Sequence, residues 1–164
     1  MVPVSSSVVI DVPREQVFAY LSDIANHPEF TDHYLVDWHL TREESRGRGA
    51  GARFRIKAPR NRFAWGDLTL SEVEAPHRIV EVGRGGKENR IQLLGVYEIT
   101  ATSGGATRVQ FTLETEPATL SDRLMESLGQ RGWFRRQNNK AMRRLRLILE
   151  DGSHRGARAT LAAR

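Results

Sequence analysis

Residues 119–150 read TLSDRLMESLGQRGWFRRQNNKAMRRLRLILE, and the conformation of this stretch decides the fold. It holds no proline. Ser121 suits an N-cap, Asp122 sits in the first turn, and Arg143, Arg144 and Arg146 crowd the last turn, as the helix dipole favours. Leu120, Leu124, Leu128, Phe134, Met142, Leu145 and Leu149 recur on one side at helical spacing. One long amphipathic helix is predicted. Nearly everything before it reads as strand, so its apolar side must lie on a curved antiparallel sheet, with a pocket between the two.

Working back from the helix, residues 90–102 and 107–116 predict a hairpin. Tyr97 and Ile99 alternate before Ser103-Gly104-Gly105, Val109, Phe111 and Leu113 alternate after it, and Pro117 ends the strand. Residues 78–84 form a short strand with Val80 and Val82 opposed to Ile79. Residues 63–74 form another of mixed parity: Phe63, Trp65 and Val73 share one face, Leu68 and Leu70 the other, which predicts a bulge near Gly66–Asp67. In residues 52–57 Ala52, Phe54 and Ile56 alternate with Arg53, Arg55 and Lys57. In residues 35–41 Val36, Trp38 and Leu40 alternate with Asp37, His39 and Thr41. Residues 4–12 give the first strand, and two short helices follow over 13–21 and 23–30, the second broken near Pro28. Strands grouped together with helices at the ends make the fold class α+β, with about seven mainly antiparallel strands.

One domain is expected over residues 1–150, with a loosely held basic tail over 151–164. Residues 1–130 hold 15 Lys+Arg and 18 Asp+Glu; residues 131–164 hold 10 and 2. That basic end suits an anionic membrane surface or an acidic protein partner, or else a solvated face whose cations offset the helix dipole. Nucleic acid is disfavoured, since no reading motif accompanies Arg135, Arg136, Lys140 and Trp133. Without cysteine there is no disulfide or thiolate chemistry. No apolar run approaches the roughly 20 residues needed to span a bilayer, and no signal core is visible, so a cytoplasmic location is expected.

The chain resembles the polyketide cyclase/dehydrase and lipid transport superfamily, the START-like or Bet v 1-like (SRPBCC) helix-grip proteins. The likeness rests on Ile10-Asp11-Val12-Pro13 with Val17-Phe18 and Leu21-Ser22-Asp23, then His27-Pro28-Glu29-Phe30. It continues with Gly51-Ala52-Arg53-Phe54, Pro76-His77-Arg78-Ile79-Val80, and Tyr97-Glu98-Ile99 with Gly105-Ala106-Thr107-Arg108-Val109. These are fold motifs rather than a catalytic signature. The resemblance implies a helix-grip fold and a cavity between sheet and helix for an apolar or amphipathic small molecule: a lipid, a quinone or an aromatic polyketide. Carriers and cyclases share the fold, so the fold does not choose between them.

Trp38, Phe54, Trp65 and Tyr97 are the candidate wall residues on the sheet, and Leu128, Phe134, Asn138 and Met142 on the helix. Arg131 and Asn138 interrupt the apolar stripe at its centre, as a pocket-facing helix requires. Alternatively, a bend at Gly129 and Gly132 turns Trp133 or Phe134 inward and Arg131 outward. Asp67, Tyr97, Arg131 and Asn138 are the catalytic candidates, the aspartate taking a proton while arginine or tyrosine polarises a carbonyl. His27 and His33 are candidate acid/base groups at the pocket mouth. His27, His33 and His39 share no helix or strand face, so no metal is predicted, and no cofactor motif is present. Three readings remain: a binder of a hydrophobic molecule, a cyclase or dehydratase, and a docking module acting through the basic helix end.

Overall fold

The computed structural model describes residues 2–58, 61–85, 91–117 and 131–161. Strand β1 (Val4–Ile10) leads through Pro13 into helix α1 (Arg14–Leu21), where Val17, Phe18 and Leu21 are buried. A 3-10 turn (Ile24–Asn26) and helix α2 (His27–Thr31) follow. The expected break at Pro28 does not occur. Proline stands in the first turn of α2, where a missing N–H costs nothing, and the interruption falls earlier, at the turn capped by Asp23.

Seven more strands follow: β2 (Leu35–Leu40), β3 (Gly51–Ala58), β4 (Asn61–Glu74), β5 (Arg78–Gly85), β6 (Ile91–Ala101), β7 (Thr107–Pro117) and β8 (Thr160–Leu161). They form one sheet in the order β1-β7-β6-β5-β4-β3-β2-β8, antiparallel except where β8 runs parallel to β2. The predicted hairpin is β6–β7, in register from Ala101 opposite Thr107 to Ile91 opposite Pro117.

Two strands depart from the expected alternation. In β4 the register slips between Leu70 and Glu72, not near Gly66–Asp67. Leu68 and Leu70 are therefore buried with Val73 packed beside them, while Trp65 and Asp67 lie outside. In β2 Asp37 adopts φ 54 and the register slips between Val36 and His39, so Leu35 and Trp38, rather than Val36 and Trp38, both reach the interior.

Helix α3 (Arg131–Asp151) buries Asn138, Ala141, Met142, Leu145 and Ile148, successive positions on one side of a 3.6-residue helix. It packs on β1 and α2, and the Asp11 amide donates to Glu150 Oε1 at 2.9 Å. The part of the predicted helix over residues 119–130, with Leu120, Leu124 and Leu128, lies outside the described residues.

The tail after α3 is not loose over its described length. Arg158 Nη2 donates to Asp23 Oδ2 at 2.7 Å, Arg155 lies 3.3 Å from Glu29 Oε2, the Ala159 amide donates to the Ala25 carbonyl at 2.8 Å, and β8 extends the sheet. Asp23 and Glu29 are buried carboxylates on the α1–α2 segment, and the tail's cations are their counter-charges. Gly156 makes the approach possible: a Cβ there would stand 2.5 Å from Asp32 Oδ2 and 3.0 Å from the Glu29 carbonyl. Arg144 completes the clamp, donating to the Glu29 carbonyl at 2.9 Å and pairing with Asp32.

Asp23 also accepts from the Ala25 amide at 3.2 Å and from Arg46 Nε at 3.1 Å. Asp23→Ala is therefore expected to cost about 2–3 kcal/mol in urea denaturation, since it strands several donors. Arg158→Ala is expected to cost less than about 1 kcal/mol, because its guanidinium is half-exposed and Arg46 still holds Asp23. Equal losses would contradict this account of the strap.

Candidate functional site

The interior between the sheet and α3 is not filled. One hollow of about 40 Å³ is lined by residues including His27, Tyr34, Trp38, Glu81, Tyr97 and Asn138. A second, of about 60 Å³, continues toward Phe54, Ile56, Leu93, Leu113 and Phe134. Tyr34, Leu35, Leu68, Glu81 and Phe111 line both. Aromatic rings dominate the walls: Trp38 stacks near Phe54 at 4.7 Å and Tyr97 near Phe111 at 4.5 Å between centroids.

At the centre of this apolar space sits a charged pair. His27 Nδ1 lies 3.1 Å from Glu81 Oε1, with side chains only 2% and 5% exposed. Both residues are placed by local sequence. His27 opens α2 directly after the 3-10 turn, and Glu81 shares the inward face of β5 with Ile79. Across the ladder Gly95 faces Glu81, and a Cβ there would stand 2.9 Å from Glu81 Oε2 and 3.0 Å from Phe111 Cε2. Glycine therefore makes room for the carboxylate.

His27 Nε2 faces the Leu21 carbonyl at 2.8 Å, and since a carbonyl only accepts, this nitrogen must carry a proton. Nδ1 and Glu81 then share the second proton. Burial alone would depress the imidazole pKa. The Glu81 charge and hydrogen bonding, with help from the Leu21 carbonyl and Asp23, outweigh burial and raise it above the usual value.

Opposite this pair, the Tyr34 hydroxyl donates to Asn138 Oδ1 at 3.1 Å. Asn138 is 1% exposed, and among the described residues its Nδ2 has no partner; the Glu81 carboxylate has lone pairs left beyond its contact with His27. Tyr97 is buried beside them. Burial first, then Glu81, Tyr34 and Tyr20, push its phenol well above the ordinary value and keep it neutral. The arrangement therefore offers a carboxylate backed by an imidazole, an open amide donor and neutral phenols, all inside aromatic walls.

His33 lies outside this set. Its Nε2 donates to the Gln137 carbonyl at 3.3 Å, while Nδ1 faces Arg144 at the same distance. Burial, then Lys140 and Arg144, hold its pKa down to about 4. The two histidines act on stability in opposite directions. For His33 the unfolded chain takes up the proton first, so stability is lost as pH falls from about 6.5 toward 4. For His27 the folded state holds the proton more tightly. Its contribution is complete below about pH 6.5 and is lost as pH rises through the raised value. His33→Gln is expected to flatten the acid limb of stability against pH, and His27→Gln the alkaline limb. Denaturation midpoints across pH check both, and unchanged limbs would contradict the assignment.

Of the residues expected in the pocket, Trp38, Tyr97, Asn138 and Met142 line the first hollow, and Phe54 and Phe134 the second. Trp65 does not belong: it is 39% exposed, with Arg53 and Arg55 over its ring at 4.9 and 5.4 Å. Asp67 also faces outward and pairs with Arg53 at 3.4 Å, so it is not a pocket base. The later bulge in β4 explains both. Arg131 is exposed at the head of α3, while Phe134 turns inward and Trp133 packs on Tyr34 at 5.9 Å. Leu128 lies outside the described residues. His27 is deep in the core rather than at a mouth. Sequence reasoning missed Glu81 and Tyr34, although the parity of Glu81 with Ile79 was a usable signal. Of the basic positions on α3, Arg135, Arg136, Lys140, Arg143 and Arg146 are exposed, whereas Arg144 is spent on the clamp. Among the described residues no helix is long and apolar enough to cross a membrane.

Comparison with known proteins agrees with this fold. Residues 1–150 match the family described as polyketide cyclase/dehydrase and lipid transport. No curated protein sequence matches the chain. Among solved structures, TTHA0849 from Thermus thermophilus superposes with a TM-score of 0.67 at 16% identity, covering 90% of this chain and 96% of that one. Ginseng major latex-like protein 151 from Panax ginseng gives 0.68 at 10% identity, covering 90% and 96%. DynU16, a protein of the dynemicin biosynthetic locus, gives 0.64 at 15% identity, covering 94% of this chain and 49% of its own. At these identities the likeness is one of fold.

Proposed function

The chain belongs to the polyketide cyclase/dehydrase and lipid transport family, and on that premise we propose that it binds a small molecule with a hydrophobic body between its sheet and α3. One observation carries this reading. Among the described residues the buried Asn138 Nδ2 stands without a hydrogen-bond partner, and the Glu81 carboxylate has only His27 beside it, against hollows with aromatic walls. Leaving such an atom unpaired costs about 1–3 kcal/mol, a cost that a bound polar group would remove. The hollows separately hold little more than water, so a ligand must join them. Phe111 and Leu68 are among the five side chains that line both.

Native mass spectrometry of gently purified protein, followed by titration with fatty acids, quinones and aromatic polyketides, tests the proposal. A stoichiometric complex with at least one class is expected; a chain that binds none of them sinks it.

A second reading, acid–base chemistry on the bound molecule, is favoured by the His27–Glu81 pair. In it Glu81 exchanges the proton and His27, 3.1 Å away, holds the carboxylate in place. Asn138 Nδ2 would polarise a carbonyl, the role first expected of Arg131 or Tyr97.

A further inference from the structure

Resting on that reading of the hollow, we infer that the ligand is uncharged at its buried end and carries a hydroxyl there, as in a phenol, an enol or a hydroxy-carbonyl compound. Carboxylates and phosphates are excluded. Charge comes first. No lysine or arginine lines either hollow among the described residues. The cation present, His27, is already matched by Glu81 at 3.1 Å. An anionic head would thus enter a low-dielectric space with no counter-charge and with a carboxylate facing it. Such burial costs several kcal/mol when unpaired.

The hydrogen-bonding groups narrow the class further. His27 Nε2 is committed to the Leu21 carbonyl, Thr31 Oγ1 donates to the His27 carbonyl at 2.7 Å, and the Tyr34 proton goes to Asn138. What stands open is the acceptor capacity of the Glu81 carboxylate beyond its contact with His27, and a donor, Asn138 Nδ2, with the neutral Tyr97 hydroxyl beside them able to serve as either. A hydroxyl satisfies both, since it donates to the first and accepts from the second. A hydroxyl beside a carbonyl does so with two atoms. A plain hydrocarbon satisfies neither and leaves both groups desolvated.

Three probes with one ring system separate these possibilities: 1-naphthol, naphthalene and 1-naphthoate, titrated calorimetrically at pH 7, where the first two are neutral and the third is an anion. Naphthol is expected to bind about ten-fold or more tightly than naphthalene, the effect of a hydrogen bond to a charged acceptor. Naphthoate is expected to bind at least about a hundred-fold more weakly than naphthol, given the unpaired charge. In Glu81→Gln and Asn138→Ala the naphthol advantage over naphthalene should shrink to within about three-fold, because the first replaces a charged acceptor with a neutral amide and the second removes the donor. Naphthoate binding as well as naphthol overturns the inference while leaving the hollow a ligand site. Equal binding of naphthol and naphthalene also overturns it, since the head group would then be irrelevant. Failure of all three probes, together with failure of the wider panel, removes the underlying reading and the inference with it.

Discussion

Replacing His27 with alanine is expected to lower stability by about 3–5 kcal/mol, because it leaves the Glu81 carboxylate buried with no partner. The loss has a second source, since the imidazole also anchors the start of α2 to the Leu21 carbonyl. The double variant His27→Leu/Glu81→Met removes both charges and keeps similar volume. It is expected to recover most of the stability, as replacement of a buried ion pair by packed apolar groups often does. Urea denaturation of the wild type, the alanine variant, the single variants His27→Leu and Glu81→Met, and the double variant closes the cycle. A cost below about 1 kcal/mol for His27→Ala, within the range of exposed pairs, would mean that the two groups are not coupled.

The second large effect concerns binding. Ala141 lies on the inward side of α3, 2% exposed, and lines the first hollow. Ala141→Leu would push three further heavy atoms into a space of about 40 Å³. Overpacking of this kind costs about 1–3 kcal/mol of stability, so the chain still folds. Binding of 1-naphthol is expected to fall by about a hundred-fold or more, since the added side chain takes the ligand's place. Ala19→Leu, on the exposed side of α1, is the control and should leave binding unchanged. Equal binding by the two variants would place the ligand elsewhere.

These expectations rest on features that the sequence exposes unevenly. The alternation of Ala52, Phe54 and Ile56 and the hairpin around Gly104-Gly105 are local patterns, and both survive in the structure. So does the inward side of α3 at Asn138, Met142 and Leu145, because a helical period persists wherever no bulge interrupts it, although Ile148 rather than Leu149 is the fully buried residue of the last turn. What the sequence hides is set by distant partners. Glu81 shares its parity with Ile79, yet a carboxylate in a core makes sense only beside His27, which reaches it from another element. Trp65 and Asp67 fall on the face opposite to the expected one because a slip of one residue reverses every side chain beyond it, and the slip sits past Leu70. The basic tail reads as loose for a related reason: its counter-charges, Asp23 and Glu29, lie on the α1–α2 segment near the other end of the chain.

The outer face of β5–β7 carries a larger groove, about 450 Å³, lined by Val82, Arg84, Leu94, Glu114 and Glu116 among others. Its size alone would recommend it, but charges ring it, whereas the open donor Asn138 Nδ2 and the Glu81 carboxylate line the interior hollows. A crystal structure of the protein with 1-naphthol therefore separates the two places most directly. The predicted result is ring density between the sheet and α3, with its oxygen within hydrogen-bonding reach of Asn138 Nδ2 and Glu81. Density confined to the outer groove, over an interior still closed, would contradict the account.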